Sequence, residues 1–547
     1  MKTQTDDKDT SKAEESQKSK GKPKWKTLRH NGVLFPEEYQ PQGLTIKIRG
    51  RKTILTPIQE EMAWAWAKKI GTPYVEDEVF AKNFTACFQK VLPYEYRNVS
   101  ISEIDFSDFV QFQAKDKEWR TQPEVKKKLA AERKERRLAL KEKFGYAEID
   151  GHRVEVANYL VEPPGIFMGR GKHPIRGQWK PRVHSEEVTL NLDKDAPIPP
   201  GKWGKIVHDS NSMWLACWLD KLTKKVKYVW LHDSSTIRQQ RDQMKYDKAM
   251  KLQTKLDKVR KHISKGMASK DEKIRKIASV CYLIDNLCMR VGDEKDEDEA
   301  DTVGASTLRV EHVKITHDSI QFDFLGKDSV PWSKSISTKD EGSHLFRNNL
   351  EKFMKGKKSS EPIFDGIRST HVNRFLGNAA EGVTAKVFRT FHATNVTRDY
   401  LKQQPIEKDA PDHVKLYYAR RANLQTAITC NHKRTPPKTW EQSLVKKEDR
   451  LKQIRAKVPK TENAKQQHKE QILRAELAVK LYRETKDYNL NTSLRNYIDP
   501  RVYKDWSDSV DIDWRQIYPK TLQTKFSWVE GNNGSQETDA ETHDSED

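Results

Sequence analysis

The chain has 547 residues, 33% of them charged and 35% hydrophobic, yet it keeps 14 Trp and 18 Phe. That composition excludes a chain disordered throughout and leaves room for three or so domains, each burying a core. Lys and Arg outnumber Asp and Glu by 101 to 80, a formal charge of +21. Such a surplus asks for a polyanionic partner, nucleic acid ahead of an anionic membrane.

No apolar run approaches the ~18 residues of a membrane span, and no leader segment is expected. The longest apolar patch, Met213 to Leu219, has the length of a core strand. Cys87, Cys217, Cys281, Cys288 and Cys430 are odd in number and lack zinc-like spacing. They read as reduced, buried thiols of an intracellular protein.

Residues 1–23 are polar, without apolar periodicity, and are expected to form a disordered charged arm. The Lys18 to Lys26 stretch suits nuclear import, DNA tracking or plain solubility. From Trp25 to about Arg120, strand-like runs such as Leu44 to Ile48 alternate with helix-like ones such as Thr56 to Ala67, a mixed α/β module. Glu124 to Phe144 is a strongly basic helix, suited to a solvated face or to tracking a phosphate backbone. Glu162 to Pro174 is a Gly/Pro-rich loop carrying Arg170 and Lys172 at its tip, and its spacing is neither a P-loop nor a dinucleotide fingerprint. Strands from Trp203 to Leu231 close this half, and the helical Ile237 to Lys265 leads into the next. Gln442 to Val458 and Asn463 to Lys486, broken at Pro459, read as a charged helical hairpin with Leu451, Ile454 and Val458 facing Leu473, Leu477 and Leu481. Gly531 to Asp547 is an acidic, polar tail expected to be disordered. The expected division is 1–23 arm, 24–237 N-terminal half, 238–440 core, 441–486 hairpin linker, 487–530 C-terminal domain and 531–547 tail.

Five side chains stand out for chemistry. Glu272 to Met289 puts Ile274, Ile277, Val280, Cys281, Ile284, Leu287 and Cys288 on one helical face. Arg290 ends that helix, where a cation complements the dipole. Ile320, Phe322 and Phe324 alternate with Gln321 and Asp323 in one arm of a hairpin, and Lys327 sits in its turn, Gly326 to Ser329. Arg389, within Gly382 to Phe391, reads by itself as a helix-surface arginine. Val414, Tyr417, Tyr418, Leu424, Ala427 and Ile428 form a helical stripe with His432 one turn further, the ordinary place of a core histidine. Tyr497, in Ser493 to Arg501, precedes an Asp-Pro turn. A phenol of pKa ~10 is a poor nucleophile at neutral pH. To attack a phosphodiester it needs cationic donors that stabilise both phenolate and phosphorane.

The string around Tyr497 resembles the active-site tyrosine motif of the eukaryotic-type DNA topoisomerases IB, and the contexts of its partners resemble the same family. Met289 to Asp301 with Leu308 to Val313 is similar to the family's first arginine region, and Phe324 to Ser329 to its lysine hairpin. Gly382 to Phe391 is similar to the second arginine segment, and Cys430 to Thr439 to the histidine segment. The resemblance implies that Tyr497 attacks the scissile phosphorus and forms a 3′-phosphotyrosine. Arg290 and Arg389 would grip the phosphate, His432 would donate to a non-bridging oxygen, and Lys327 would protonate the departing 5′ oxygen. Phe167, Gly169, Arg170, Lys172, Asp328 and Asn496 would lie against DNA near the cleaved step, where camptothecin-class inhibitors bind in relatives.

The implied fold is an α+β multidomain bilobed DNA clamp. It has a mixed α/β N-terminal half, a mainly α catalytic domain of the tyrosine recombinase and topoisomerase IB type, and a helical-hairpin linker. The implied partner is double-stranded DNA, the implied state a monomer. No cofactor is expected, because one phosphodiester replaces another and the sequence has no GxxxxGK[ST] loop, HExxH motif or paired Cys/His ligands. The N-terminal arm and the stretch from His432 to Tyr497 are shorter than in animal enzymes, and Met168 stands where those carry Arg. That compact build resembles the archaeal branch, which would place the protein on the nucleoid; a eukaryotic member would be nuclear. A site-specific tyrosine recombinase is the alternative, and a non-catalytic DNA clamp a second. Ligase-like nucleotidyl transfer fails because Glu148 to Gly151 has Glu where lysine is needed.

Overall fold

The computed structural model describes residues 23–293 and 302–531. The expected charged arm up to residue 22, residues 294–301 of the first arginine region and the tail beyond residue 531 lie outside the described residues. The chain divides into two compact units, one of residues up to 169 with 174–235, the other of 170–173 with 236 onward. Among the described residues no helix is long and apolar enough to cross a membrane.

The first unit is mixed α and β. Its strands are β1 (Leu28–His30), β2 (Thr45–Ile48), β3 (Arg51–Ile54), β4 (Ile104–Asp105), β5 (Tyr146–Ile149), β6 (His152–Glu155), β7 (Gly165–Ile166), β8 (Trp179–Lys180), β9 (Val188–Asn191), β10 (Lys205–Val207), β11 (Trp214–Leu219) and β12 (Val226–Trp230). They form small sheets ordered β1-β5-β6, β3-β2-β4, β7-β8 and β10-β9-β11-β12. Helices α1 (Pro57–Ala67), α2 (Glu78–Gln89), α3 (Ser107–Thr121) and α4 (Pro123–Phe144) lie among them. Thr56 caps α1 in a capping box with Gln59, and Pro57 opens it without sacrificing a donor. Phe80, Phe84 and Phe88, one turn apart on α2, are all fully buried, and Trp66 stacks on Phe84 at 4.5 Å between ring centres. Each such ring contributes about 1.5–3 kcal/mol by burial. The basic helix α4 buries nothing.

The second unit opens with α5 (Thr236–Met267) and α6 (Glu272–Leu287). A three-stranded sheet follows, β13 (Val313–Ile315), β14 (Ser319–Gly326) and β15 (Val330–Ser337), in that order. The helices α7 (Glu341–Met354), α8 (Ser369–Ala379), α9 (Ala385–Lys402) and α10 (Asp412–Thr429) complete its core. Then come α11 (Trp440–Arg455), α12 (Glu462–Glu484), α13 (Leu490–Asn496), α14 (Pro500–Val510) and α15 (Lys520–Lys525). Buried residues alternate along β14, with Ile320, Phe322 and Phe324 inward, as the period-2 pattern predicts.

Four details differ from expectation. Helix α6 stops at Leu287 because Cys288 turns left-handed (φ 54°), so Arg290 stands beyond the helix rather than ending it. Ile274 is 37% exposed and outside the core, being near the helix start. Ile428 is exposed, and His432 leaves the stripe of α10, which stops at Thr429 before Asn431 takes a positive φ. Val458 is 88% exposed past the end of α11 and Leu473 is also exposed, so the apolar seam is shorter than expected, with exposed polar ties such as Arg455–Glu476 at 2.6 Å and Arg483–Glu448 at 2.6 Å beside it. The five cysteines are free, with Cys87 and Cys217 only half-buried.

Candidate active site

Three segments of the second unit converge on Tyr497. The first is the stretch after α6. Gly292 and Gly304 let two backbones touch: a Cβ on Gly304 would come 2.6 Å from Gly292. The ladder Ala305 N to Arg290 O (2.8 Å) and Ser306 N to Val291 O (2.7 Å) holds Arg290 on a stiff ribbon. The second segment is α9, which buries Arg389 to 3% exposure in its first turns. The third is the turn after α10, where His432 N bonds Ala427 O (2.8 Å) and His432 O accepts from Asn489 N (2.7 Å). That last bond ties the histidine to the start of α13, the helix that ends at Tyr497. The Thr394 hydroxyl of α9 donates to Tyr497 O (3.3 Å) and accepts from Asp499 N (3.1 Å), pinning the tyrosine backbone from behind.

The rings of His432 and Tyr497 stack at 5.2 Å with 27° between planes, and the Arg389 guanidinium lies 5.0 Å from the Tyr497 ring centre. The charges of both Arg389 and Arg290 act on the phenol. Burial pushes the Tyr497 phenol up, but the charges of Arg389 and Arg290 outweigh it and hold the phenol below its ordinary value. Other buried tyrosines go the other way: burial raises Tyr503 and Tyr518, and raises Tyr246 even with Arg501 acting against it. Among the described tyrosines with a shifted phenol, Tyr497 alone moves down.

Arg389 also donates to Cys288 O, to Cys430 O (3.1 Å) and to His432 Nε2 (3.3 Å). An arginine can only donate, so Nε2 accepts and the imidazole proton is assigned to Nδ1. Burial, then Arg389, Arg290 and Lys334, lower the His432 pKa to about 3, so the ring is neutral at pH 7. Its Nδ1 and the Arg389 Nε are buried donors with no partner among the described residues.

The remaining expected residues are placed as follows. Lys327 is exposed at the first position of the turn between β14 and β15, and among the described residues it does not join the cluster. The side chain of Asp328 lies outside the described residues. Asn496, next to Tyr497, is exposed and bonds Thr492 O at 3.1 Å. Phe167 N donates to Gln178 O (2.8 Å) in the first unit, and Gly169 has φ 63°. Arg170 and Lys172 belong to the short 170–173 piece of the second unit, where Gly171 abuts Ser329 of the Lys327 turn.

Sequence reasoning missed Lys334, which hydrogen-bonds Leu287 O (3.3 Å) and Thr429 O directly beneath the cluster. A signal was present: Lys334 falls on the inward phase of β15 with Trp332 and Ile336. Among the described residues no three His, Cys, Asp or Glu side chains group to hold a metal.

Residues 23–231 match the model of the eukaryotic DNA topoisomerase I DNA binding fragment, 234–465 that of the eukaryotic DNA topoisomerase I catalytic core, and 469–536 that of the C-terminal topoisomerase domain. The chain is 36% identical to DNA topoisomerase 1 beta of Arabidopsis thaliana over 93% of its own length and 59% of the relative's. It is 35% identical to DNA topoisomerase 1 of Homo sapiens over 92% of its length and 71% of the relative's. With the Drosophila melanogaster DNA topoisomerase 1 it shares 34%, over 92% and 54%. The chain thus spans between about half and about seven tenths of these relatives.

Proposed function

The chain belongs to the eukaryotic DNA topoisomerase I family, and on that premise we propose that it relaxes positive and negative supercoils through a transient 3′-phosphotyrosyl link between Tyr497 and one DNA strand. The observation that carries the reading is the Tyr497 phenol, set against the Arg389 guanidinium and the His432 ring and held below its ordinary pKa by Arg389 and Arg290 despite its burial. A phenol in that setting is a better nucleophile and, after attack, a better leaving group for religation. Arg290 and Arg389 grip the phosphate as negative charge grows on it. The unpartnered Nδ1–H of His432 and Nε–H of Arg389 are suited to its non-bridging oxygens. Lys327, at the tip of its hairpin, serves as general acid for the 5′ oxygen once DNA is bound. One phosphodiester is exchanged for another, so religation draws on the bond already stored.

In this reading the partner is double-stranded DNA, held mainly through phosphates by a monomeric, bilobed clamp with a tyrosine recombinase-type catalytic domain. Residues 24–237 serve as the DNA-binding half, 238–440 as the core, 441–486 as the linker and 487–530 as the domain carrying the nucleophile. Phe167, Gly169, Arg170, Lys172, Asp328 and Asn496 flank the cleaved step, which is also where a camptothecin-class inhibitor would bind. The matched models and the relatives above are eukaryotic, which favours a nuclear, chromosome-associated protein over the archaeal placement drawn from the compact build.

The test is mass spectrometry of the adduct trapped on a nicked duplex, with plasmid relaxation alongside in EDTA and no ATP. The expected product joins Tyr497 to a 3′ phosphate, and Tyr497→Phe lowers cleavage by about 10⁴-fold or more. An adduct on another residue, or relaxation by the Phe variant, refutes the assignment.

A further inference from the structure

Lys334 lies on the inward phase of β15, and two arms of the site meet on its ammonium. It donates to the carbonyls of Leu287 (3.3 Å) and Thr429, which are the last residues of α6 and α10. One residue further along each chain, the carbonyls of Cys288 and Cys430 are both taken by Arg389. Two cations are therefore stacked on two successive carbonyl pairs at the ends of two helices. Those ends carry unpaired carbonyls and partial negative charge, so each cation is attracted to both helices at once. Arg290 follows Cys288 by two residues, and His432 follows Cys430 by two.

We propose that Lys334 is a positioning residue for strand cleavage: it locks the C-terminal ends of α6 and α10 together, so that Arg290 and His432 are held at the distance Tyr497 requires. The inference rests on the reading of Tyr497 as nucleophile. Burial pulls the ammonium pKa down while the thiols of Cys288 and Cys430 oppose that shift, and Arg389 and Lys433 push it further down. No described carboxylate pairs with it. An apolar residue at this strand position would pack more cheaply but would leave the two helix ends tied only through Arg389. Arg389 has other duties: it must also reach the phenol and the imidazole. Lys334 relieves it of holding the backbone alone.

The experiment uses the full chain with Lys334→Met and Lys334→Arg, reading single-turnover cleavage of a duplex oligonucleotide, DNA affinity and the urea midpoint. Lys334→Met is expected to slow cleavage by about 10- to 100-fold, the usual effect of removing a residue that orients a functional group, with DNA affinity within about twofold. Lys334→Arg, which can still donate to both carbonyls, recovers most of that rate. Combined with Arg389→Lys, the loss is smaller than the product of the single losses, because both residues hold the same two segments. A Met variant that cleaves at the wild-type rate overturns the proposal. So does an Arg variant as slow as Met, or a slower rate matched by an equal loss of DNA binding. If the wild-type chain forms no Tyr497 adduct, the function itself fails and this inference with it.

Discussion

Arg176 of the first unit and Arg389 of the second are both largely sequestered guanidiniums, and their partners could hardly differ more. Arg176 grips Asp77 through two bonds of 2.7 and 2.9 Å, Arg182 pairs with Glu61 at 3.1 Å, and Lys180 with Asp220 at 3.0 Å. Around Tyr497, by contrast, Arg290, Arg389 and Lys334 are surrounded by carbonyls, thiols, an imidazole and a phenol, with no described carboxylate in an ion pair to any of them. A buried charge that is paired serves the fold; one left without a counter-ion is an electrostatic deficit that an incoming anion can relieve. The paired cations of the first unit serve its fold, while those around Tyr497 are suited, in the proposed reading, to an incoming phosphate.

That contrast can be broken from the site outward. Arg389→Gln keeps a donor but removes the charge, and is expected to slow cleavage by about 10²–10³-fold, or about 2.7–4 kcal/mol. Its pH–rate profile should also shift upward on the alkaline side, because the phenol loses the larger of the two charges holding it down. An unshifted profile would mean that Arg389 acts on the phosphate alone.

Lys327→Ala comes next, with cleavage slowed by about 10²-fold and DNA affinity nearly unchanged. A duplex whose bridging 5′ oxygen is replaced by sulfur, a leaving atom that needs no proton, should restore the rate; failure of that rescue counts against the general acid.

A smaller effect concerns His432, whose folded pKa of about 3 lies below its ordinary value of 6.5. The unfolded chain then binds a proton that the folded site refuses. The contribution of this residue is complete above pH about 6.5 and is lost as the pH falls toward about 3, at no more than about 1.4 kcal/mol per pH unit. Urea melts of wild type and His432→Gln between pH 7 and 4 should converge as the pH drops. His30, lowered to about 4 by its own burial, cancels in that comparison.

The smallest is Asp77→Asn. It should cost about 1 kcal/mol of stability in this partly exposed pair and leave cleavage untouched. A change in cleavage rate there would erase the distinction between the two kinds of cation.

Much of this was legible residue by residue. The helix-like run Thr56 to Ala67 announced α1, and the alternation from Ile320 to Phe324 announced the hairpin. What periodicity misplaced lay just past helix ends. Cys288 and Asn431 adopt positive φ, so Arg290 and His432 leave the faces on which a 3.6-residue count would put them. Periodicity also made Arg389 a surface residue, since an arginine in a helix is ordinarily solvated. Its burial is decided by α6, α10 and the Tyr497 segment, each distant in sequence.

Local composition and spacing thus determined which segments fold as helix or strand, because hydrophobic period and caps act over a few residues. Motif resemblance singled out five side chains, four of which the fold brings together, and implied a chemistry for them. Only the tertiary structure decided that two arginines reach one phenol, that the imidazole is neutral, and that Lys334 joins two helix ends. Those outcomes depend on burial and on charges brought together across more than two hundred residues, and electrostatic energy depends on distance in space, which order along the chain does not encode.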